Sequence, residues 1–236
     1  ASERSAGERY ADACRWVLDA PMPAAVRDML VLPIHTGVPG RVLFSALPGD
    51  MAGPVEAEMA MAGYAVCSNA SAHRMDADVP LVISEVNPDH IALIDGQRRR
   101  RGWRGFIAAN PNCSTTVLVM ALAPLERAFG LRRLHVVTLQ ALSGGGYPGV
   151  PSMDILDNVL PYIGGEEDKV QAEPRKLFGR LEGGIVTPAN FAVSAQCNRV
   201  AVLEGHTACV SVELERPASL DEARRAKFLA SIPMGR

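Results

Sequence analysis

Between residues 41 and 109, short apolar runs alternate with helical patterns, and this alternation limits the fold more than any other feature of the chain. Residues 41–47 (RVLFSAL) read as a buried strand, with Pro48-Gly49-Asp50 as the turn into a helix over residues 51–62 that ends near Gly63. Tyr64-Ala65-Val66-Cys67-Ser68 is the next strand, and Leu81-Val82-Ile83 and Phe106-Ile107-Ala108-Ala109 are two more. Strands joined through helices by short connections pair in parallel, which predicts an open, doubly wound α/β sheet. Polar loops follow its strands: Ser45-Ala46-Leu47-Pro48, Ser68-Asn69-Ala70-Ser71 and Asn110-Pro111-Asn112-Cys113. Ligands of such sheets sit beyond the carboxyl ends of the strands.

From about residue 110 the texture changes. Residues 134–140, 191–202 and 207–214 read as longer strands, the last alternating Cys209, Ser211 and Glu213 against Val210, Val212 and Leu214. Alternation suits a sheet with one face open or covered by a partner. The expectation is two units: residues 1–109 around the parallel sheet, and an α+β unit with a mixed sheet over residues 110–236, closed by a helix at 221–229. Residues 8–19 have a short helical or extended character. The chain opens in a loop without methionine and stops just after a helical pattern, so it reads as a fragment lacking both ends. A net charge of −2 gives no electrostatic reason to bind nucleic acid or a membrane surface. No apolar run approaches the roughly 20 residues of a membrane helix. Five scattered cysteines without a CxxC pair argue against a disulfide framework or a thiolate metal site, and for a reducing, cytoplasmic setting.

The chemistry is expected at Asn110-Pro111-Asn112-Cys113-Ser114-Thr115-Thr116. Asn112, Ser114 and Thr115 are helix-start residues, and Val117, Leu118, Met120, Ala121 and Leu125 recur at helical steps. Cys113 then sits where the helix dipole favours an anion, as a nucleophile or as an ordinary structural thiol. Of the histidines, His35 and His90 read as surface residues, and His135 opens a strand as a satisfied core residue. His206 lies in a turn between two strands, exposed yet rigidly held. Arg199, a charge within an apolar strand, needs either a structural ion pair or an anionic ligand. The run Arg98-Arg99-Arg100-Arg101 reads as a solvated loop before a strand. Ser143-Gly144-Gly145-Gly146-Tyr147-Pro148-Gly149 lacks phosphate-loop spacing and indicates only close backbone approach to a ligand or a neighbouring chain.

Six stretches in this order carry a resemblance. They are Ser45-Ala46-Leu47-Pro48, residues 68–75 (SNASAHRM), residues 110–115 (NPNCST), residues 140–149 (QALSGGGYPG), Glu173-Pro174-Arg175-Lys176, and Cys197-Asn198-Arg199-Val200 through Gly205-His206. Together they resemble the aspartate-β-semialdehyde dehydrogenases, the archaeal and fungal type in particular. The resemblance implies a partial Rossmann-like NADP-binding domain followed by a catalytic and dimerisation domain. It implies Cys113 as nucleophile, His206 as general acid/base, and Gln140 as a residue positioning substrate or thiol. Arg199 would grip the substrate carboxylate and Glu173 would face its amino group. Arg74 and Lys176 would bind phosphate, with Asn112 beside the reacting carbonyl. Ser2, Arg4 and Ser5 would hold the 2′-phosphate of NADP. Ser45 and Ser68 would line the cofactor crevice, with Ser143, Gly144 and Gly145 on the nicotinamide side.

The implied reaction is NADPH-dependent reduction of L-aspartyl 4-phosphate to L-aspartate 4-semialdehyde through a Cys113 thioester, in lysine, threonine and methionine biosynthesis. The implied assembly is a homodimer or homotetramer that needs no metal. The family's glycine-rich dinucleotide loop follows its first strand, and this chain begins after it; the C-terminal return to the nucleotide domain is also missing. Two alternatives stand beside this reading. One is a malonyl-CoA reductase-like enzyme acting on a thioester. The other is an inactive fragment or paralogue that only binds. The set Arg74, Glu173 and Lys176 suits a phosphate and an amino group, and so favours aspartyl phosphate.

Overall fold

The computed structural model describes residues 5–231, with side chains as far as residue 227. Two helical turns, α1 (Tyr10–Ala13) and α2 (Ala24–Arg27), precede β1 (Val42–Ser45), α3 (Gly49–Ala62) and β2 (Ala65–Ser68). Next come α4 (Leu93–Arg101) and β3 (Phe106–Ala109). The three strands pair in parallel in the order β1-β2-β3, with Ser45 opposite Ser68 and Ser68 opposite Ala109, so their carboxyl ends form one row. α3 stops at Gly63, whose φ of 114° is left-handed and strained for any side chain. Leu81-Val82-Ile83 is not a strand and makes a single parallel bridge, Leu81 to Ala109. The Asn87 side chain competes for its backbone, accepting from the Ile83 amide and donating to the Leu81 carbonyl.

α5 (Cys113–Phe129) and β4 (Leu131–Gln140) begin the second half. They lead to α6 (Ser152–Ile155), β5 (Val159–Leu160), α7 (Glu166–Leu177), β6 (Arg180–Glu182) and β7 (Ile185–Thr187). β8 (Ala192–Val200), β9 (Thr207–Leu214) and α8 (Leu220–Ser231) follow. The mixed sheet has the order β5-β8-β4-β9, with β8 parallel and β9 antiparallel to β4. Because β8 and β9 flank β4 on opposite sides, residues 201–206 must cross the end of β4 to join them. That crossing is bonded down: the Leu142 and Ser143 amides donate to the Val202 and Leu203 carbonyls at 2.8 and 3.0 Å. It carries His206 over the end of β4.

Two apolar clusters hold these layers. One gathers Met59, Val66, Leu81, Ile107 and Val119; the other gathers Leu118, Leu122, Leu134, Val136, Val170 and Phe191. Leu118 and Val119 are neighbours about 100° apart on α5, so one helix is wedged between both clusters. α7 does the same with Val170 and Leu177. Each fully buried aliphatic side chain of this kind contributes about 1.5–3 kcal/mol.

Three further sequence expectations fail here. Arg98-Arg99-Arg100-Arg101 is the last turn of α4 rather than a loop, where cations meet the negative end of the helix dipole. Arg101 donates to Asp76 and Asp78, each at 2.8 Å, and lies 4.8 Å over the Trp103 ring. His135 is exposed on β4, because the strand's alternation turns Leu134 and Val136 inward. His90 is buried: Nδ1 accepts from Asn87 Nδ2 at 2.9 Å and Nε2 donates to the Gly179 carbonyl at 3.2 Å. Burial pulls its pKa below the ordinary 6.5, so the folded protein keeps the ring neutral where the unfolded chain takes a proton. Stability should therefore be independent of this residue at alkaline pH and decline as pH falls from about 6.5 through the lower folded value. Urea midpoints measured against pH should show that decline, and His90→Gln should flatten it. An identical slope in the variant would remove His90 as its cause.

Candidate active site

Cys113 opens α5 and is exposed, while its neighbours Asn112, Ser114 and Thr115 are buried. Asn112 caps the helix: Oδ1 accepts from the Ser114 and Thr115 amides at 3.0 and 3.2 Å, an arrangement worth about 1 kcal/mol. Two carboxylates hold this cap from behind. Glu173 accepts from the Asn112 amide at 2.7 Å, and Glu166 accepts from its Nδ2 at 2.9 Å. The thiol is thus carried on a turn fixed from three directions.

His206 Nε2 lies 3.3 Å from Cys113 Sγ. On the other side of the ring, the Ala141 amide donates to Nδ1 at 3.0 Å. Nδ1 must therefore accept, and the neutral imidazole keeps its proton on Nε2, toward the sulfur. Burial first, and then the Arg199 charge, hold the His206 pKa below its ordinary value.

Arg199 is 7% exposed and donates to the Ala141 carbonyl at 2.6 Å, and no carboxylate pairs with it among the described residues. The structural ion pair considered from sequence is absent, and a buried cation is left facing the site. The β4–β8 register sets Gln140 opposite Arg199. Gln140 Nε2 reaches Thr138 at 3.4 Å and Glu166 at 3.3 Å.

The glycine-rich loop, Ser143 to Gly145, closes over this group as a 3-10 turn. A Cβ on Gly144 would lie 2.9 Å from Arg199 Nη1 and 3.0 Å from His206 Cε1. The close approach inferred from sequence is therefore made to the site's own side chains. Gly144→Ala should fold normally, because the backbone there is not left-handed, yet displace the imidazole. A fall in kcat/KM on the order of 10²-fold is expected in steady-state assays. Unchanged kinetics would show that the loop yields without moving His206.

Arg74 lines a recess of about 420 Å³ with Asn69, Asn110, Pro111, Asn112, Cys113 and Thr116. Its guanidinium donates to Glu173 at 2.9 Å and to the Asn69 carbonyl at 2.8 Å. Glu173 accepts from Arg74 through one oxygen and from the Asn112 amide through the other, and so ties the two together. Lys176 is not among the residues that line the recess. It is buried, and its ammonium donates to the carbonyls of Arg74, Asp76 and Val79 at 2.6–2.7 Å, which uses all three protons. Burial lowers its pKa to about 8. It supports the loop that carries Arg74.

Glu166 was not legible in the sequence. It stands in an acidic run, Glu166-Glu167-Asp168, at a helix start, where charges are ordinarily solvated. Burial alone would raise its carboxyl, but hydrogen bonds from Lys169 and Asn112 hold it below the usual range. Ser2 and Arg4 lie outside the described residues; Ser5 lies in the turn before α1. Ser45 and Ser68 line a crevice of about 490 Å³ at the carboxyl ends of the parallel strands. Asn69 and Asn110 line both the crevice and the Cys113 recess, so the two adjoin.

Fold and site define a class: a thiol–imidazole pair set where a parallel α/β sheet meets a mixed sheet. Residues 1–94 match the semialdehyde dehydrogenase NAD binding domain, and residues 122–230 the semialdehyde dehydrogenase dimerisation domain. The chain belongs to the aspartate-semialdehyde dehydrogenase family. It is 53% identical over 228 residues to the aspartate-semialdehyde dehydrogenase of Methanothermobacter thermautotrophicus, spanning 96% of this chain and 65% of that protein. With the Cryptococcus neoformans protein the identity is 47%, over 96% of this chain and 66% of the relative. The crystal structure of the Candida albicans aspartate semialdehyde dehydrogenase with NADP superposes with a TM-score of 0.87 at 40% identity, covering 96% of this chain and 66% of that one. The chain thus spans just under two thirds of the length of these relatives.

Proposed function

We propose that this chain is the site-bearing part of an NADP-dependent enzyme that interconverts L-aspartyl 4-phosphate and L-aspartate 4-semialdehyde. The observation that carries the proposal is the 3.3 Å contact between Cys113 Sγ and His206 Nε2, beside the buried and unpaired Arg199. In the reductive direction Cys113 attacks the acyl phosphate carbon, the C–O bond to phosphate breaks, and a thioester forms. Arg74, in the same recess, meets the charge of the departing phosphate. Arg199 binds the substrate's α-carboxylate. The Nε2–H of His206 hydrogen-bonds first to the Cys113 thiolate and then to the oxyanion of the tetrahedral adduct. As that oxyanion re-forms its carbonyl the C–S bond breaks, which releases the aldehyde and returns the electron pair to the sulfur as thiolate.

The nucleotide fits the crevice at the strand ends, where Ser45, Ser68 and the loop of Ser143, Gly144 and Gly145 would hold it and Ser5 would lie toward its 2′-phosphate. When bound, NADPH supplies a hydride to the thioester carbon, which a carboxylate would not accept. The crevice adjoins the recess at Asn69 and Asn110, so a nucleotide held there would lie beside Cys113. We place the boundary between nucleotide-binding and catalytic units at residues 109 and 110, just before α5. The five free cysteines suit a cytoplasmic protein, and no helix among the described residues is long and apolar enough to cross a membrane.

A homodimer, or a tetramer built from it, accounts for the exposed apolar side chains of Met153, Leu156, Tyr162 and Leu203. Sedimentation at micromolar concentration should give at least a dimer, and a monomer would contradict this. The reaction itself is tested by NADPH formation from aspartate semialdehyde, phosphate and NADP, against NADPH consumption with malonyl-CoA. Faster turnover of malonyl-CoA would sink the assignment.

A further inference from the structure

Beyond the sulfur, the crevice has a wall whose hydrogen-bond polarity is fixed by a residue outside the reacting group. Glu56 projects from α3 toward the ends of β1 and β2 and is 2% exposed. Ser45 Oγ lies 2.5 Å and Ser68 Oγ 2.7 Å from the same oxygen, Glu56 Oε1. Its other oxygen, Oε2, is buried without a partner. A hydroxyl has one proton to give, and a carboxylate can only accept, so both serines donate to Glu56. Ser68 Oγ in addition accepts from the Ala70 amide at 3.1 Å.

Both serines line the crevice. Ser68 is 2% exposed and its hydroxyl is engaged on both sides, whereas Ser45 is half-buried; with its proton turned to Glu56, what Ser45 presents to a ligand is lone pairs. The neighbouring strand-end carbonyls are already engaged, Ser45 O by the Asn69 amide and Ser68 O by the Asn110 amide, each at 2.8 Å. A phosphate oxygen brought here would meet acceptors facing an acceptor, with a carboxylate behind them. An N–H or O–H would find a partner already oriented.

We propose that Glu56, held in place by Ser68, is a positioning residue that makes Ser45 an obligate acceptor, so this wall takes a hydrogen-bond donor of the nucleotide and turns phosphate away. A carboxamide N–H and a ribose hydroxyl share the required chemistry. The inference rests on the NADP reading above. It assigns Ser45 to a neutral donor group, with Ser68 and Glu56 behind it, and leaves the phosphates to other parts of the crevice.

The test is NADPH affinity of the free enzyme, read by nicotinamide fluorescence, so that turnover is not required. Glu56→Met removes the acceptor at similar volume and should raise the Kd about tenfold, whereas Glu56→Gln, which keeps an oxygen at the Oε1 position, should hold it within about threefold. In a Ser45→Ala/Ser68→Ala background, Glu56→Met should have no further effect. A loss of the same size in that background would make Glu56 merely structural and overturn the proposal. Should Glu56→Met not fold, Ser45→Ala/Ser68→Ala alone still decides: about a tenfold weaker Kd is expected, and an unchanged one refutes the assignment. Absence of NADPH binding by the unsubstituted enzyme would overturn the cofactor reading and this one together. Intact binding with a flat mutant series overturns this one alone.

Discussion

Cys113→Ala abolishes phosphate-dependent oxidation of the semialdehyde while leaving NADPH affinity near that of the unsubstituted enzyme. The loss expected is on the order of 10⁴-fold or more, because no other group can form the thioester through which hydride transfer becomes possible. Cys113 is the exposed residue of an otherwise buried turn, and Asn112, not Cys113, caps the helix. The substitution therefore removes a sulfur without removing a support. Steady-state rates and fluorescence titration on one preparation check both halves. Residual turnover within tenfold of the original would end the covalent mechanism.

Arg199→Ala should raise KM for the semialdehyde on the order of 10²-fold, with a smaller effect on kcat. Losing one partner of a buried charged contact costs about 2–5 kcal/mol, and each 1.4 kcal/mol is a factor of ten. The same change has a second signature. The Arg199 charge helps hold the His206 pKa below its ordinary value, so its removal should move that pKa upward. An acidic limb in the pH–rate profile governed by His206 should then shift to higher pH. Arg199→Lys keeps the charge and should keep most of the acidic limb, but not the planar fork that suits a carboxylate. An unchanged KM would mean that the substrate carboxylate is bound elsewhere.

How much of this was readable in the residues differs from element to element. α3, β2, α5, β4 and β9 follow from local periodicity, and the placement of Cys113 at a helix start follows from Asn112 and its neighbours. α4 and α7 did not, because charges dominate both helices and their few apolar positions carry little periodic signal. Leu81-Val82-Ile83 has strand composition, yet Asn87 takes its backbone groups. His90 and His135 were exchanged, the first buried and the second exposed, since one imidazole in an isolated sequence does not reveal which face it occupies. Lys176 and Glu173 show the reverse problem. Their motif was recognisable, but whether a buried cation meets phosphate or three carbonyls depends on a loop 97 to 102 residues away in sequence.

The sequence alone determined what is local: the alternation that makes a parallel sheet, the cap that starts α5, the glycine run, and a set of reactive side chains in a telling order. None of these states which residue touches which. That was decided by topology. β8 and β9 lie on opposite sides of β4, so the connection between them must cross the strand's end, and only that crossing sets His206 on the Ala141 amide, fixes its tautomer and brings Nε2 to the Cys113 sulfur. Hydrogen-bond direction at the site arises in the same way, because a donor or acceptor role depends on partners that fold in from distant parts of the chain.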